Sequence, residues 1–288
     1  MSKALTQIRA TYHDDIIVRE GNQYLLTNKG QELKEQLPPL LEQMNHLLYP
    51  ARFNISQSKS VFSIAFTSFV TQAILPSICH HFELEAPFAS LESHLWQGKD
   101  LSELANGDID LLATIADQVP ENLYGKLLAE DQYVVLLGKH HPLASQQLTI
   151  DDYVKYKHIL VHGLIQNRQQ MEAQLHSFGK QRQILAKTPS FLSASRILTN
   201  SNAIMTAPLH ISIDYAKHFD LVLKPLPITL TPHQYYLLWH SKSHRDPEHK
   251  WFRELCFPIL QNNLISAIED GLKLMEPSHN ATVTQVAN

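Results

Sequence analysis

Apolar positions near the start of the chain fall at Leu5, Ile8 and Tyr12, with Lys3, Thr6, Gln7 and Arg9 elsewhere. That spacing predicts a helix over residues 2–13. Two β-prone runs follow, Ile16-Ile17-Val18 and Tyr24-Leu25-Leu26. Between them stands Glu20-Gly21-Asn22-Gln23, whose central Gly-Asn predicts a hairpin turn. Thr27 is placed to cap a further helix over about 28–48, its hydroxyl accepting from an unpaired first-turn amide. In that helix Leu33, Leu37, Leu40, Leu41, Met44, Leu47 and Leu48 recur every three or four residues. So long a stripe needs a partner surface. A second copy of the helix, in coiled-coil fashion, is one candidate, and the chain's own domain is the other. Pro38 and Pro39 should kink or loosen the helix.

Residues 49–60 are polar, contain Pro50 and read as a short linker. From Val61 the pattern changes to alternating strands and helices. Strands are predicted at 61–66, 90–95, 108–113, 133–137, 158–161, 183–186, 203–205 and 235–240. Helices are predicted at about 68–82, 101–105, 150–156, 167–178, 191–199, 208–218 and 247–260. The alternation argues a layered α/β fold with mostly parallel sheets. Residues 276–288 lack periodicity and are expected to be disordered.

Composition changes this picture little. The 288 residues carry a formal net charge of −4. Residues 1–60 hold seven Lys/Arg against six Asp/Glu, so a slightly basic end precedes an acidic body, which suits a DNA-contacting arm. Cys79 and Cys256 lie far apart in apolar stretches and read as buried thiols of a reducing compartment. There is no apolar signal-peptide core and no run of about 18 apolar residues. A cytoplasmic chain without a membrane partner is expected.

The order of elements, with its detailed residues, resembles the LysR-type transcriptional regulators, in the nodulation-regulator-like branch. Residues 2–33, SKALTQIRATYHDDIIVREGNQYLLTNKGQEL, look like the second half of that family's winged helix-turn-helix. Ser2 opens the DNA-reading helix, Ile8-Arg9 closes it, Asp15 precedes the wing strand ending in Arg19, and Leu26-Thr27-Asn28-Lys29-Gly30 begins the linker helix. Further on, ELANGDIDLLAT, GKHHPLA (138–144), LTIDDYVKYKHILV, TPSFLSA (188–194) and LLWHSKSHRDPEHKWFREL are similar to family segments. The likeness spans about residues 1–262.

The resemblance implies a partial winged helix-turn-helix (1–27), a linker and dimerisation helix (28–50), and a two-lobed effector domain of the type 2 periplasmic-binding-protein kind. Lobe I would take 61–132 and 236–275, and lobe II 133–235, with Tyr133–Leu137 and the return near Tyr235 as the hinge. In the family about 30 residues precede the position of Met1, so weak or absent specific DNA binding is expected of this chain alone. Ser2, Lys3, Thr6 and Gln7 should face DNA, because recognition helices meet base edges through their N-terminal residues. Arg9 should meet phosphate or pair with an acid of its own domain, and Arg19, Asn22 and Gln23 lie on or beside the wing. For each, an ordinary solvated side chain is the alternative.

Ligands of such folds sit at strand carboxyl ends and helix N-termini. These positions are Thr67, Ser68, Phe69 and Thr114 on lobe I, and Thr188, Pro189, Ser190 and Phe191 on lobe II. Plain helix capping is the alternative for Thr67, Ser68 and Ser190. The expected partners are DNA, an unknown small-molecule effector, and further copies in a dimer or tetramer.

Seventeen histidines invite a metal hypothesis, but the best cluster, His240, His244 and His249 with Asp246 and Glu248, reads as a solvated polar turn. No HExxH, CxxC, GxSxG or Walker motif occurs, so no enzyme, metal or cofactor is expected. The competing reading is a ligand-binding or dimerisation module without specific DNA binding.

Overall fold

The protein was analysed as a computed structural model describing residues 3–48, 53–66, 68–96, 101–116, 118–162 and 165–275, with the backbone alone at 45–48, 68–71 and 165–167. It divides into two compact units, Met1–Asn54 and Ile55–Asn288. The predicted disordered tail, 276–288, lies outside the described residues.

The first unit contains α1 (Lys3–Tyr12), β1 (Ile17–Glu20), β2 (Gln23–Leu26) and α2 (Asn28–Leu48). The hairpin has Ile17 opposite Leu26 and Glu20 opposite Gln23, and Gly21 turns the corner at φ 61°. That value lies in the left-handed region, where glycine has no Cβ penalty. A polar latch joins hairpin to helix. The Thr27 hydroxyl donates to Asp14 Oδ1 at 2.6 Å and accepts from Gly30 N at 3.0 Å, capping α2 as expected. Asp14 also accepts from Ile16 N at 2.6 Å, and its hydrogen bonds hold its carboxyl below the usual range. Pro38 and Pro39 do not interrupt α2.

Gly30 is required by close approach. A Cβ there would stand 2.2 Å from the Ile16 carbonyl oxygen, a backbone atom. The Gly30→Ala variant is therefore expected to lose on the order of 3 kcal/mol from this unit. Amide hydrogen exchange across residues 14–33 reads it out, and unchanged protection there would contradict the packing.

The second unit holds β3 (Val61–Phe66), α3 (Ser68–Glu85), β4 (Ser90–Leu95), α4 (Ser102–Asn106), β5 (Leu111–Ile115), β6 (Leu123–Asp131) and β7 (Tyr133–Gly138). It continues with α5 (Ile150–Lys155), β8 (Lys157–Val161), α6 (Ile165–Ser177), β9 (Gln183–Thr188), α7 (Phe191–Thr199) and β10 (Ile204–Pro208). It closes with α8 (Leu209–His218), β11 (Leu221–Pro225), β12 (His233–His240) and α9 (Pro247–Met275). Among the described residues the strands form two five-stranded sheets, ordered β4-β3-β5-β12-β6 and β11-β7-β10-β8-β9.

Both sheets are mixed, which corrects the expectation of mostly parallel sheets. Strands β3, β4 and β5 run parallel, as do β8, β9 and β10. The strands that enter from the other sheet run against their neighbours: β12 against β5 and β6, and β7 against β10 and β11. The pattern missed β6 and β11. Strand β6 exposes four consecutive residues and pairs through a bulge, so its sequence does not alternate.

The strand expected at 108–113 starts later, at Leu111, because Asp110 turns its carboxylate onto Ser63 N at 2.8 Å and Ser63 Oγ at 3.1 Å. Helix α9 runs through Pro258 to Met275, well past the expected end near Leu260. Its extension packs on α8, where a Cβ at Gly271 would lie 2.5 Å from the Leu209 side chain.

One core reaches across both sheets. It includes Ile64, Phe66 and Leu111 from the first, Val134, Leu136 and Met205 from the second, and Phe252, Cys256, Leu260 and Leu264 of α9. Cys256 is buried as expected, and burial pushes its thiol pKa up. Cys79 is exposed, against expectation: it follows buried Ile78 on α3 and so turns about 100° away from the core face. The end of the segment read as a linker is tied down. Ser58 and Ser60 donate to the Glu248 carboxylate at 2.8 and 2.6 Å.

Candidate functional site

The chain passes from the first sheet to the second through a single residue, Gln132, between β6 and β7, and returns between β11 and β12. The register shows where these crossings fall. Tyr235 stands opposite Ile115, and His233 opposite Asp131, so the crossings lie at the edge where the parallel strands β3 and β5 end. Pro208 stands opposite Tyr133, which places the carboxyl end of β10 at the same crossing. Open α/β sheets take ligands at this edge, because backbone donors and helix N-termini converge there.

The residues expected at this edge divide into groups. Thr114 is half-buried near the end of β5, in register with Tyr236. Thr67 lies outside the described residues, and Ser68 and Phe69 are described in backbone alone. On the second sheet, Thr188 Oγ1 accepts from Ser190 N at 3.2 Å, and Ser190 Oγ accepts from Ser193 N at 3.3 Å, capping α7. The cap uses a Ser190 lone pair and leaves its hydroxyl proton for another acceptor. Pro189 is exposed. Phe191 belongs to the core, its ring stacked at 6.3 Å on Tyr215.

Three residues at the crossings were not singled out by the sequence. Asp131 closes β6, His233 opens β12, and His210 sits in the first turn of α8; all three are buried. His210 Nδ1 lies 2.6 Å from Asp131 Oδ2, which also accepts from His210 N at 3.2 Å. Asp131 Oδ1 accepts from Gln132 N at 2.7 Å. His233 Nε2 lies 3.7 Å from Asp131 Oδ2, and burial lowers the His233 pKa to about 4. Tyr133 and Tyr235 flank the group, with ring centroids 4.8 and 5.2 Å from that of His233. Residues 79 positions apart offer no local spacing to read, so only the fold reveals this group.

The histidines at 240–249, read from sequence as a polar turn, each have a local partner. His240 Nδ1 accepts from Lys242 N, His244 stacks on Tyr124 at 3.8 Å, and His249 bridges the Asp110 carbonyl and Arg253. Most of the turn between them is exposed, and His249 is buried.

In the first unit, Lys3, Thr6 and Gln7 share an exposed face of α1, with Leu5 and Ile8 half-buried on the other and Tyr12 exposed. Ser2 lies outside the described residues. Arg9 is half-buried and turned toward the hairpin. Its guanidinium donates to the carbonyls of Asp15 at 2.7 Å and Ile17 at 2.9 Å, fastening α1 to the wing. Arg19 Nε donates to the Gly21 carbonyl at 3.0 Å, and Asn22 is exposed at the wing tip. On α2, Leu33 is buried, Leu37, Leu40, Leu41 and Met44 are exposed, and the Leu47 and Leu48 side chains lie outside the described residues.

Two mixed sheets joined by two crossings, with helices on their faces, define a two-lobed α/β fold of the type 2 periplasmic-binding-protein kind. Residues 56–258 match the LysR substrate binding domain, and the chain belongs to the LysR family of transcriptional regulators. It is 26% identical to the HTH-type transcriptional regulator SyrM of Rhizobium meliloti (strain 1021), over 88% of this chain and 78% of that one. To the HTH-type transcriptional activator NahR of Pseudomonas putida it is 23% identical, over 90% and 87%. Among solved structures, a putative transcriptional regulator from Vibrio parahaemolyticus is 28% identical with TM-score 0.63, covering 74% of this chain and 99% of that one. These relatives are regulators rather than enzymes, and among the described residues no helix is long and apolar enough to cross a membrane.

Proposed function

We propose that this chain is an effector-controlled, DNA-binding regulator that works in the cytoplasm as a dimer or tetramer. The match over residues 56–258 carries this reading, supported by a helix, wing and long helix ahead of it. Lobe I comprises 61–132 and 233–275, and lobe II 133–232, because β12 joins the first sheet from His233 rather than from the expected return near Tyr235. The effector lies between them, contacted by Thr67, Ser68, Thr114, Thr188 and Ser190. It acts by binding one interlobe arrangement better than another. The exposed stripe Leu37, Leu40, Leu41 and Met44, about half exposed on each side chain, supports pairing of α2 with a second copy. Lys3, Thr6, Gln7, Arg19 and Asn22 contact DNA.

A second reading, a ligand-binding or dimerisation module without specific DNA binding, is favoured by one observation: none of the described residues of α1 is buried. A helix of about ten residues is marginal in water without a packed face. The two are separated by binding to the DNA flanking its own gene, titrated against an unrelated duplex at several salt concentrations. The regulator reading expects preference over the competitor and a steep salt slope, which Lys3→Ala reduces by about one. Equal, weak binding to both duplexes would leave the module reading.

A further inference from the structure

We infer that the crossing between the two sheets is a binding site for one divalent transition-metal ion of the zinc class, held by Asp131 Oδ2, His210 Nδ1 and His233 Nε2. The inference does not depend on the effector reading. One ligand atom from each residue lies within 4.8 Å of the other two. Zinc bonds to imidazole nitrogen and carboxylate oxygen in a tetrahedron put donors roughly 3.4 Å apart. The Asp131–His233 separation of 3.7 Å already suits this. The Asp131–His210 pair, at 2.6 Å, must open by less than about 1 Å as the hydrogen bond is exchanged for two metal bonds.

The donor set points the same way. Two imidazoles and one carboxylate are ligands for zinc-like ions rather than for calcium or magnesium, which take oxygen. All three side chains are buried, and His233 is only 3% exposed. Among the described residues neither ring nitrogen of His233 has a hydrogen-bond partner. Buried polar atoms without partners are uncommon and costly. A dry Asp131–His210 hydrogen bond leaves both His233 ring nitrogens without a partner, and an ion gives one to Nε2.

The surroundings resemble a built site. Gln132 N holds the second carboxylate oxygen at 2.7 Å, which orients the first. The Tyr133 and Tyr235 rings wall the group from water. The ligands come from the end of β6, the start of β12 and the first turn of α8, so the ion ties the first sheet to a helix of the second. It fixes the angle at the crossing and leaves one coordination position for water or a small anion.

The full chain, purified without a histidine tag and stripped by a chelator, is titrated with Zn²⁺ and with Co²⁺. One equivalent should be retained through dialysis, raise the melting temperature and, with Co²⁺, give the intense visible bands of a tetrahedral site. His233→Asn and His210→Asn should each weaken retention by more than about tenfold. A double variant of the exposed pair His80 and His81, which lies outside the site, should retain it. Anomalous scattering at the zinc edge from crystals of the unaltered protein decides the matter even if those variants fail to fold. A peak between the three donors supports the site. A peak elsewhere, no retained ion, or retention unchanged in His233→Asn overturns it.

Discussion

Between pH 7 and pH 5, in chelator, the folded chain is expected to lose about 4 kcal/mol of stability, most of it through two buried histidines. Burial holds His158 near a pKa of about 3, with the Arg182 charge as a second cause, and His233 near about 4. Their ordinary value is 6.5. Each folded pKa is depressed, so the unfolded chain takes up the proton first on acidification. The stabilisation is fully present above pH 6.5 and is lost as pH falls through that value toward the folded pKa.

Inside that window each ring costs about 1.4 kcal/mol per pH unit, or about 2 kcal/mol at pH 5. His141 and His249 are also lowered by burial and add in the same direction. A loss near 4 kcal/mol is a large share of a typical domain's 5–15 kcal/mol. Urea midpoints at pH 7, 6 and 5 measure it. A flat profile would mean that these rings reach water or accept a proton in the folded state. His158 donates Nε2–H to the Tyr153 carbonyl at 2.8 Å and cannot gain a second proton there without solvation.

Asp131→Ala is expected to destabilise the chain by about 3–5 kcal/mol at neutral pH. The Asp131 side chain is completely buried. Removing its carboxylate takes the acceptor from Gln132 N, His210 N and the His210 ring at once. Each buried donor left unpaired costs about 1–3 kcal/mol. Asp131→Asn keeps an acceptor oxygen and should lose roughly half as much. Chemical denaturation at pH 7 in chelator compares the three proteins. A loss under about 1 kcal/mol for the alanine variant would show that water reaches the vacated donors. Because β6 and β7 meet at this residue, the damage should fall on both sheets together, in a single transition.

The first unit was legible because its signals are local. Helical spacing, a Gly-Asn turn and a threonine cap each act within a few residues, and the structure places all three. The alternation of strands and helices was legible for the same reason, apart from β6 and β11. Those strands are specified by the neighbours they join: β6 lies against β12 through a bulge, and β11 lies against β7. Pro258 shows the converse. A local breaker failed to end α9 because the extension gains burial against α8 and the shared core.

Candidate chemistry followed the same division. Ser190 and Thr27 could be read as caps from their own neighbourhoods, and both cap helices. The histidines at residues 240–249 read as a polar turn in sequence, and the fold gives each of them a separate partner. Charge alone left Arg9 open between a phosphate and an acid, and it could not reveal the two main-chain carbonyls that the hairpin brings to it.

By itself, then, the sequence determined the identity and order of most elements, their caps and the family resemblance, since these depend on contacts a few residues apart. Only the tertiary structure decided the mixed direction of the sheets, the length of α9 and the meeting of Asp131, His210 and His233. Those depend on two chain crossings, and a crossing brings together residues whose separation along the chain carries no information about their distance in space.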